Sequence, residues 1–306
     1  MGSLRSELYR AYHRKGPYVA FLFGILLAFS GYIATQYGQI VPNDGGVAHE
    51  FNTWYMFLQT FGINWNSPWG LVMPLLVVLP FGDTLIFDLN HGFEVPLILR
   101  VGMKRYFFSK WFANVIVVAT VFGAVLISSL IIAIVWRHDF QMPLRLLEDV
   151  KVVDGKLIVN AKAFAINKSH HFNGVFASSY APKLFSKLFW RHIGLFTLLT
   201  MLISLLATVS VSSIALVASL WLKNRYLVLA APFVVFMFFV VVPQYITPSL
   251  FMWAPHILAD AFWEFYRPFW GIVLYWLAPL LVTLGLMNLG SRRYRDLQLI
   301  FVEYKE

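Results

Sequence analysis

The run Leu79-Pro80-Phe81-Gly82-Asp83-Thr84-Leu85-Ile86-Phe87-Asp88-Leu89-Asn90-His91-Gly92-Phe93-Glu94-Val95-Pro96-Leu97-Ile98-Leu99-Arg100-Val101-Gly102-Met103-Lys104-Arg105-Tyr106-Phe107-Phe108-Ser109-Lys110 decides how this chain is read. It lies between two long apolar segments and carries three carboxylates followed by four basic residues, interleaved with Leu, Ile and Phe. A disordered loop between membrane spans would not keep that apolar content. The pattern predicts a short amphipathic helix that lies at a membrane surface and is offered to a soluble partner.

The chain around it belongs in a bilayer. Apolar residues make up 59% and charged residues only 13%, with a mean hydropathy of +0.68, far from soluble composition. The absence of cysteine excludes disulfides, thiolate metal sites and thiol nucleophiles. A net charge of +9 would suggest nucleic acid in a soluble protein. In a membrane chain the positive-inside bias and anionic headgroups account for it, so no nucleic-acid partner is expected. The first apolar run is flanked by Arg14 and Lys15, with no small-residue cleavage site after it, and is expected to stay as a span.

Working outward, residues Ser3 to Lys15 set Leu4, Leu8, Ala11 and Tyr12 on one face and Arg5, Glu7, Arg10 and Arg14 on the other, as an interfacial helix would. Six spans are expected, near 17–35, 69–87, 106–136, 192–221, 226–242 and 269–289. Between spans three and four, residues 137–191 form a polar insertion in which Lys151 to Val159 reads as a β-hairpin with Asp154-Gly155 at its turn. Between spans five and six, 247–267 is an aromatic element broken by Pro248 and Pro255. Fourteen of the 24 Lys and Arg residues fall in the N-terminus, the loop after span two, the turn after span four and the C-terminus. The loop from Gln36 to Pro68 has none. Both termini and the central stretch are therefore expected in the cytoplasm, and the 137–191 insertion outside.

The spans are almost free of ionisable groups, apart from Asp83 near the inner end of span two. Ion-coupled carriers need such groups inside the membrane. No phosphate-binding G-x-x-x-x-G-K-[ST] loop occurs either, so energy for transport would have to come from another chain. No converging His/Asp/Glu set points to catalysis, and the chain is not expected to be an enzyme.

Asp88-x-x-x-Gly92, followed by Leu97, Arg100, Lys104-Arg105 and Lys110 before a long apolar helix, resembles the coupling region of ABC-2 type permeases, the membrane subunits of ATP-driven exporters. Gly102 stands where that family often has Pro, and Pro96 in mid-segment predicts two short helical pieces. The resemblance implies an all-α membrane protein forming one transmembrane domain over 1–306. It would have six spans, an N-terminal interfacial helix and a cytoplasmic coupling helix. It also implies a multi-pass chain of a bacterial plasma membrane, paired with an identical or related permease on two ATPase subunits. ATP and Mg would be bound only by those ATPases. Asp88, Gly92, Glu94, Leu97 and Arg100 would then dock the ATPase. The substrate would be amphiphilic or hydrophobic, such as a peptide, an antibiotic or a lipid-linked molecule. The alternative is a non-transporting membrane sensor or immunity scaffold.

Several positions carry two readings. Asp88, Glu94 and Arg100 suit either docking or a solvated interfacial face. Asp83, beside Pro80 and Gly82, either satisfies backbone groups at a kink or senses the coupling helix. Ser204, Thr208 and Ser212 recur every four residues in span four, as close helix packing or a substrate pathway requires. His256, Asp260 and Glu264 share one helical face, which suits the polar side of an outer amphipathic helix better than a metal site, and His170-His171 is a weak metal hint with no partner in sequence. Asn167-Lys168-Ser169 fits a glycosylation acceptor.

Overall fold

The computed structural model describes residues 2–38, 53–54, 57, 68–91, 94–137, 150–153, 156–159, 192–246 and 269–303. Among these the chain is almost wholly helical. Four helices are long and apolar enough to cross a membrane: α2 (Lys15–Gly38), α6 (Met103–Arg137), α7 (Ile193–Ala218) and α9 (Phe269–Glu303). A fifth, α8 (Arg225–Ile246), is also strongly apolar. Shorter helices are α1 (Gly2–Tyr12), α3 (Pro68–Leu76), α4 (Thr84–His91) and α5 (Glu94–Val101).

Side-chain exposure fits lipid on the outside. Leu22 and Phe23 on α2, Ile131 on α6, Leu202 on α7, Phe238 on α8 and Leu281 on α9 are all exposed. A water-facing surface would not carry such stripes on every long helix. α7 is the central element, packing on α6, α8 and α9. Its contacts give the helix directions. Leu205 of α7 lies against Gly123 of α6 and Ser213 against Asn114, so these two run antiparallel. Ser210 meets Trp276 and Leu220 meets Gly290, so α7 and α9 run together. On α2, Gly24 meets Val125 and Tyr32 meets Ser129, so α2 follows α6.

These directions gather α1, α4, the start of α6, the α7–α8 turn and Gly290 of α9 at one end of the bundle. That end holds Arg10, Arg14, Lys110, Arg225 and Arg292. The clustering of basic segments expected from charge counting is therefore present in space.

Span two is not the single helix expected over 69–87. α3 stops at Leu76, residues 77–83 form turns, and α4 begins at Thr84. Pro80 supplies the reason: it lacks an N–H and its ring would clash with the carbonyl four residues back, that of Leu76. Leu79 bonds back only three residues, to the Leu76 carbonyl at 3.2 Å, as a tightened turn does. Gly16 at the start of α2 presses on this break. A Cβ there would stand 2.3 Å from the Leu79 carbonyl oxygen.

The central stretch does form two short helices, but Pro96 does not divide them. It sits in the first turn of α5, where a missing N–H costs nothing. α4 ends at His91 and α5 begins at Glu94; Gly92 and Phe93 lie outside the described residues. A second corner follows at Gly102, whose φ of +82° turns α5 into α6. Its N–H reaches the Ile98 carbonyl at 2.8 Å, closing the end of α5. Nothing crowds a Cβ there, so Gly102→Ala should cost only the left-handed strain, about 1–2 kcal/mol. Thermal melting of the purified variant checks this.

The hairpin lies where expected. β1 (Val150–Val153) pairs antiparallel with β2 (Lys156–Val159), with Val153 opposite Lys156. Residues 138–149, 154–155 and 160–191, the 247–267 element, the loop from Gln39 to Asn52 and the His170-His171, Asn167 and His256/Asp260/Glu264 positions lie outside the described residues.

Candidate functional site

At the basic end of the bundle, α1, α4 and α6 enclose a charged cluster. Amphipathic α1 lies along α6, with Ala11 fully buried and the Tyr12 hydroxyl 2.6 Å from that of Thr120. That placement turns Glu7 and Arg10 inward, one helical turn apart. Asp88 of α4 and Lys110 of α6 face them, and both are fully buried.

Arg10 grips Asp88 with both arms of its guanidinium, Nη2 to Oδ1 at 2.6 Å and Nη1 to Oδ2 at 3.3 Å. Its Nη1 also reaches Glu7 Oε1 at 3.2 Å. Lys110 Nζ lies 2.6 Å from Asp88 Oδ2 and 2.7 Å from Glu7 Oε2. The ammonium is thus held by ion pairs between the two carboxylates. The Tyr106 hydroxyl donates to Asp88 Oδ2 at 3.1 Å. Two cations thus face two carboxylates and the cluster is neutral.

Burial pushes the Asp88 carboxyl up, but Lys110 and the Arg10 hydrogen bonds outweigh it and hold Asp88 below the ordinary carboxylate value. Burial likewise pulls Arg10 down. Its bond to Asp88, with the charges of Asp88 and Glu7, more than compensates, and Arg10 ends above its ordinary value. For a carboxylate lowered in this way, the stabilisation is complete above its unfolded value. It is lost only as pH falls through the folded one. Asp88 therefore stays ionised throughout the neutral range.

Nearby, Asp83 in the span-two break pairs with Arg225 at the start of α8 and with Arg14 at 3.8 Å. This pairing is neither of the two roles read from sequence: the side chain ties the α1–α2 junction to α8. Arg14 also stacks on Phe87, 4.9 Å from the ring centre.

The five expected docking positions separate. Asp88 is not at the surface; the carboxylate expected to face water is the hub of the buried cluster. Leu97 is half-buried and Arg100 exposed on α5, with Leu99 between them 79% exposed and Ile98 buried. Glu94 opens α5, and Gly92 lies outside the described residues. Glu7 and Arg10, assigned by sequence to the solvated face of α1, belong to the cluster. Lys110 is inside the third span, contrary to an interior free of charge. The signal for it was a lysine seven residues into a 35-residue apolar helix, which requires a buried partner.

In α7, Thr208 and Ser212 are buried and Ser204 half-buried. Ser212 donates to Asn114 Oδ1 at 3.0 Å, Asn114 donates to Ser213 at 3.4 Å, and Ser210 donates to the Trp276 carbonyl. Of the three positions singled out from sequence, Ser212 bonds another helix, while the Thr208 hydroxyl bonds back to the Leu205 carbonyl of its own helix at 2.8 Å. Asn114, which sequence reading passed over, joins α6 to Ser212 and Ser213 of α7.

Comparison with protein-family models, curated proteins and solved structures found no match for this chain.

Proposed function

We propose that the chain is the permease subunit of an ATP-driven exporter of the ABC-2 type, with six spans and its basic end in the cytoplasm of a bacterial-type plasma membrane. It would work with a second permease copy or relative and two ATPase subunits that bind ATP and Mg. One observation carries the reading. α5 offers an exposed edge at the basic end of the bundle, while the adjoining α4 is tied through Asp88 to α1 and α6. Force applied to α5 by a nucleotide-driven partner would pass through this cluster into the first and third spans. Coupling would require this link to have two arrangements that the nucleotide state of the partner biases. The apolar spans favour an amphiphilic or hydrophobic cargo over an ion.

The test is the tagged chain purified from its native membranes. The eluate should contain an ATPase subunit and hydrolyse ATP in a vanadate-sensitive way. Single cysteines at Lys104 and Arg293 should be labelled only after permeabilisation, and those at Asn52 and Asn160 from outside. An eluate without ATP hydrolysis, or outside labelling at Lys104, overturns the reading.

A further inference from the structure

Beside the buried cluster the same end of the bundle opens into a groove of about 1010 Å³. Its walls are the α1–α2 junction, the span-two break, α4, α5 and the start of α8. Arg10 at one edge is already neutralised by the cluster. The groove's other strong cations are Arg14, Lys15, Arg100 and Arg225, against one lining carboxylate, Asp83. Arg14 and Arg225 share that carboxylate, and it cannot neutralise both. Lys15 and Arg100 are exposed, and among the described residues neither forms an ion pair. Four cations on three separate segments therefore converge on an open space with one negative charge between them.

We propose that this groove holds the phosphate headgroup of an anionic phospholipid. Guanidinium groups match phosphate oxygens in charge and geometry. The floor is apolar, formed by Leu79, Pro80, Phe87 and Leu97, which suits an amphiphile better than a free ion. From the rim, exposed Tyr18 and Leu22 run down α2, and exposed Tyr226 and Leu227 begin α8. These surfaces lead from the groove along apolar helices, the path that acyl chains attached to the headgroup would take. A bound phosphate would also relieve the mutual repulsion of Arg14, Lys15, Arg100 and Arg225. It would thereby hold α2, α5 and α8 together at the membrane surface.

The test uses the full chain alone in neutral detergent, so its outcome does not depend on any ATPase. Phosphatidylglycerol and phosphatidylcholine are titrated in mixed micelles, with bound lipid and melting temperature as readouts. Wild type should prefer phosphatidylglycerol and melt higher with it. Lys15→Gln/Arg100→Gln should bind phosphatidylglycerol about thirtyfold more weakly, the factor two interfacial cations supply. Both side chains are exposed and outside the buried cluster, and their loss removes two mutually repelling charges, so without lipid this variant should melt no lower than wild type. Lys15→Arg/Arg100→Lys should restore binding. Equal affinity for the two lipids, or unchanged affinity in the double Gln variant, overturns the proposal. So does glycerol phosphate binding as tightly as the lipid, which would mean a soluble anion. A decameric glutamate peptide binding as tightly would mean an acidic protein segment, and equally overturns it.

Discussion

Lys110→Met is expected to lower the stability of the chain by about 3–5 kcal/mol, the cost of leaving a buried charge without its partner. Methionine keeps much of the apolar stem, so little packing is lost. What changes is the electrostatics. Glu7 and Asp88 would be left facing Arg10 alone, in a site where Asp88 and Lys110 have no exposure. The cluster predicts its own rescue. Lys110→Met/Glu7→Gln removes one charge of each sign and leaves Arg10 gripping Asp88, so it should recover most of the loss. Denaturation of the purified proteins in one detergent, analysed as a double-mutant cycle, measures the coupling. A double variant no more stable than the sum of the singles would show that Glu7 and Lys110 do not hold each other.

That cluster also marks what could be read from sequence and what could not. The long helices followed from hydropathy alone, because a bilayer demands about 20 apolar residues and leaves little room for ambiguity. The hairpin followed from Asp154-Gly155 between β-branched runs. The break in span two was visible only as Pro80 and Gly82. A hydropathy window averages across such a turn, since Leu76 to Leu79 stay apolar whether helical or not. Pro96 misled in the opposite direction, because a proline divides a helix only when it stands beyond the first turn. The buried cluster was the least legible. Glu7 and Arg10 three residues apart on an amphipathic helix look like a solvated pair, and nothing local tells that α1 turns that face inward. The partner of Arg10 lies 78 positions away. Only Lys110, a cation inside an apolar helix, required a carboxylate from elsewhere. The site thus rests on tertiary contacts, while its carrier helices rest on pattern.

The other large effect is expected at the exposed edge of α5, and it separates docking from transmission. Arg100 serves both the groove and this edge, so Leu99, which does not line the groove, is the discriminating position. Its side chain is 79% exposed one residue after buried Ile98, and it contributes little to the chain's own packing. Leu99→Asp should therefore leave the melting temperature of the isolated chain unchanged. In the proposed complex it should weaken ATPase binding by at least about tenfold, as loss of a central apolar anchor does. Asp88→Asn should behave in the reverse way. It leaves Lys110 and Arg10 facing a single carboxylate, so the isolated chain should melt lower. The ATPase should still bind, because Asp88 is fully buried within the chain, but substrate should no longer stimulate ATP hydrolysis. The paired measurement is affinity for the purified ATPase and substrate-stimulated turnover of the reconstituted complex. If Leu99→Asp binds the ATPase and responds to substrate like wild type, α5 is not the docking element. If Asp88→Asn keeps full stimulation despite its lower melting point, the cluster is a structural lock and force reaches the spans by another route.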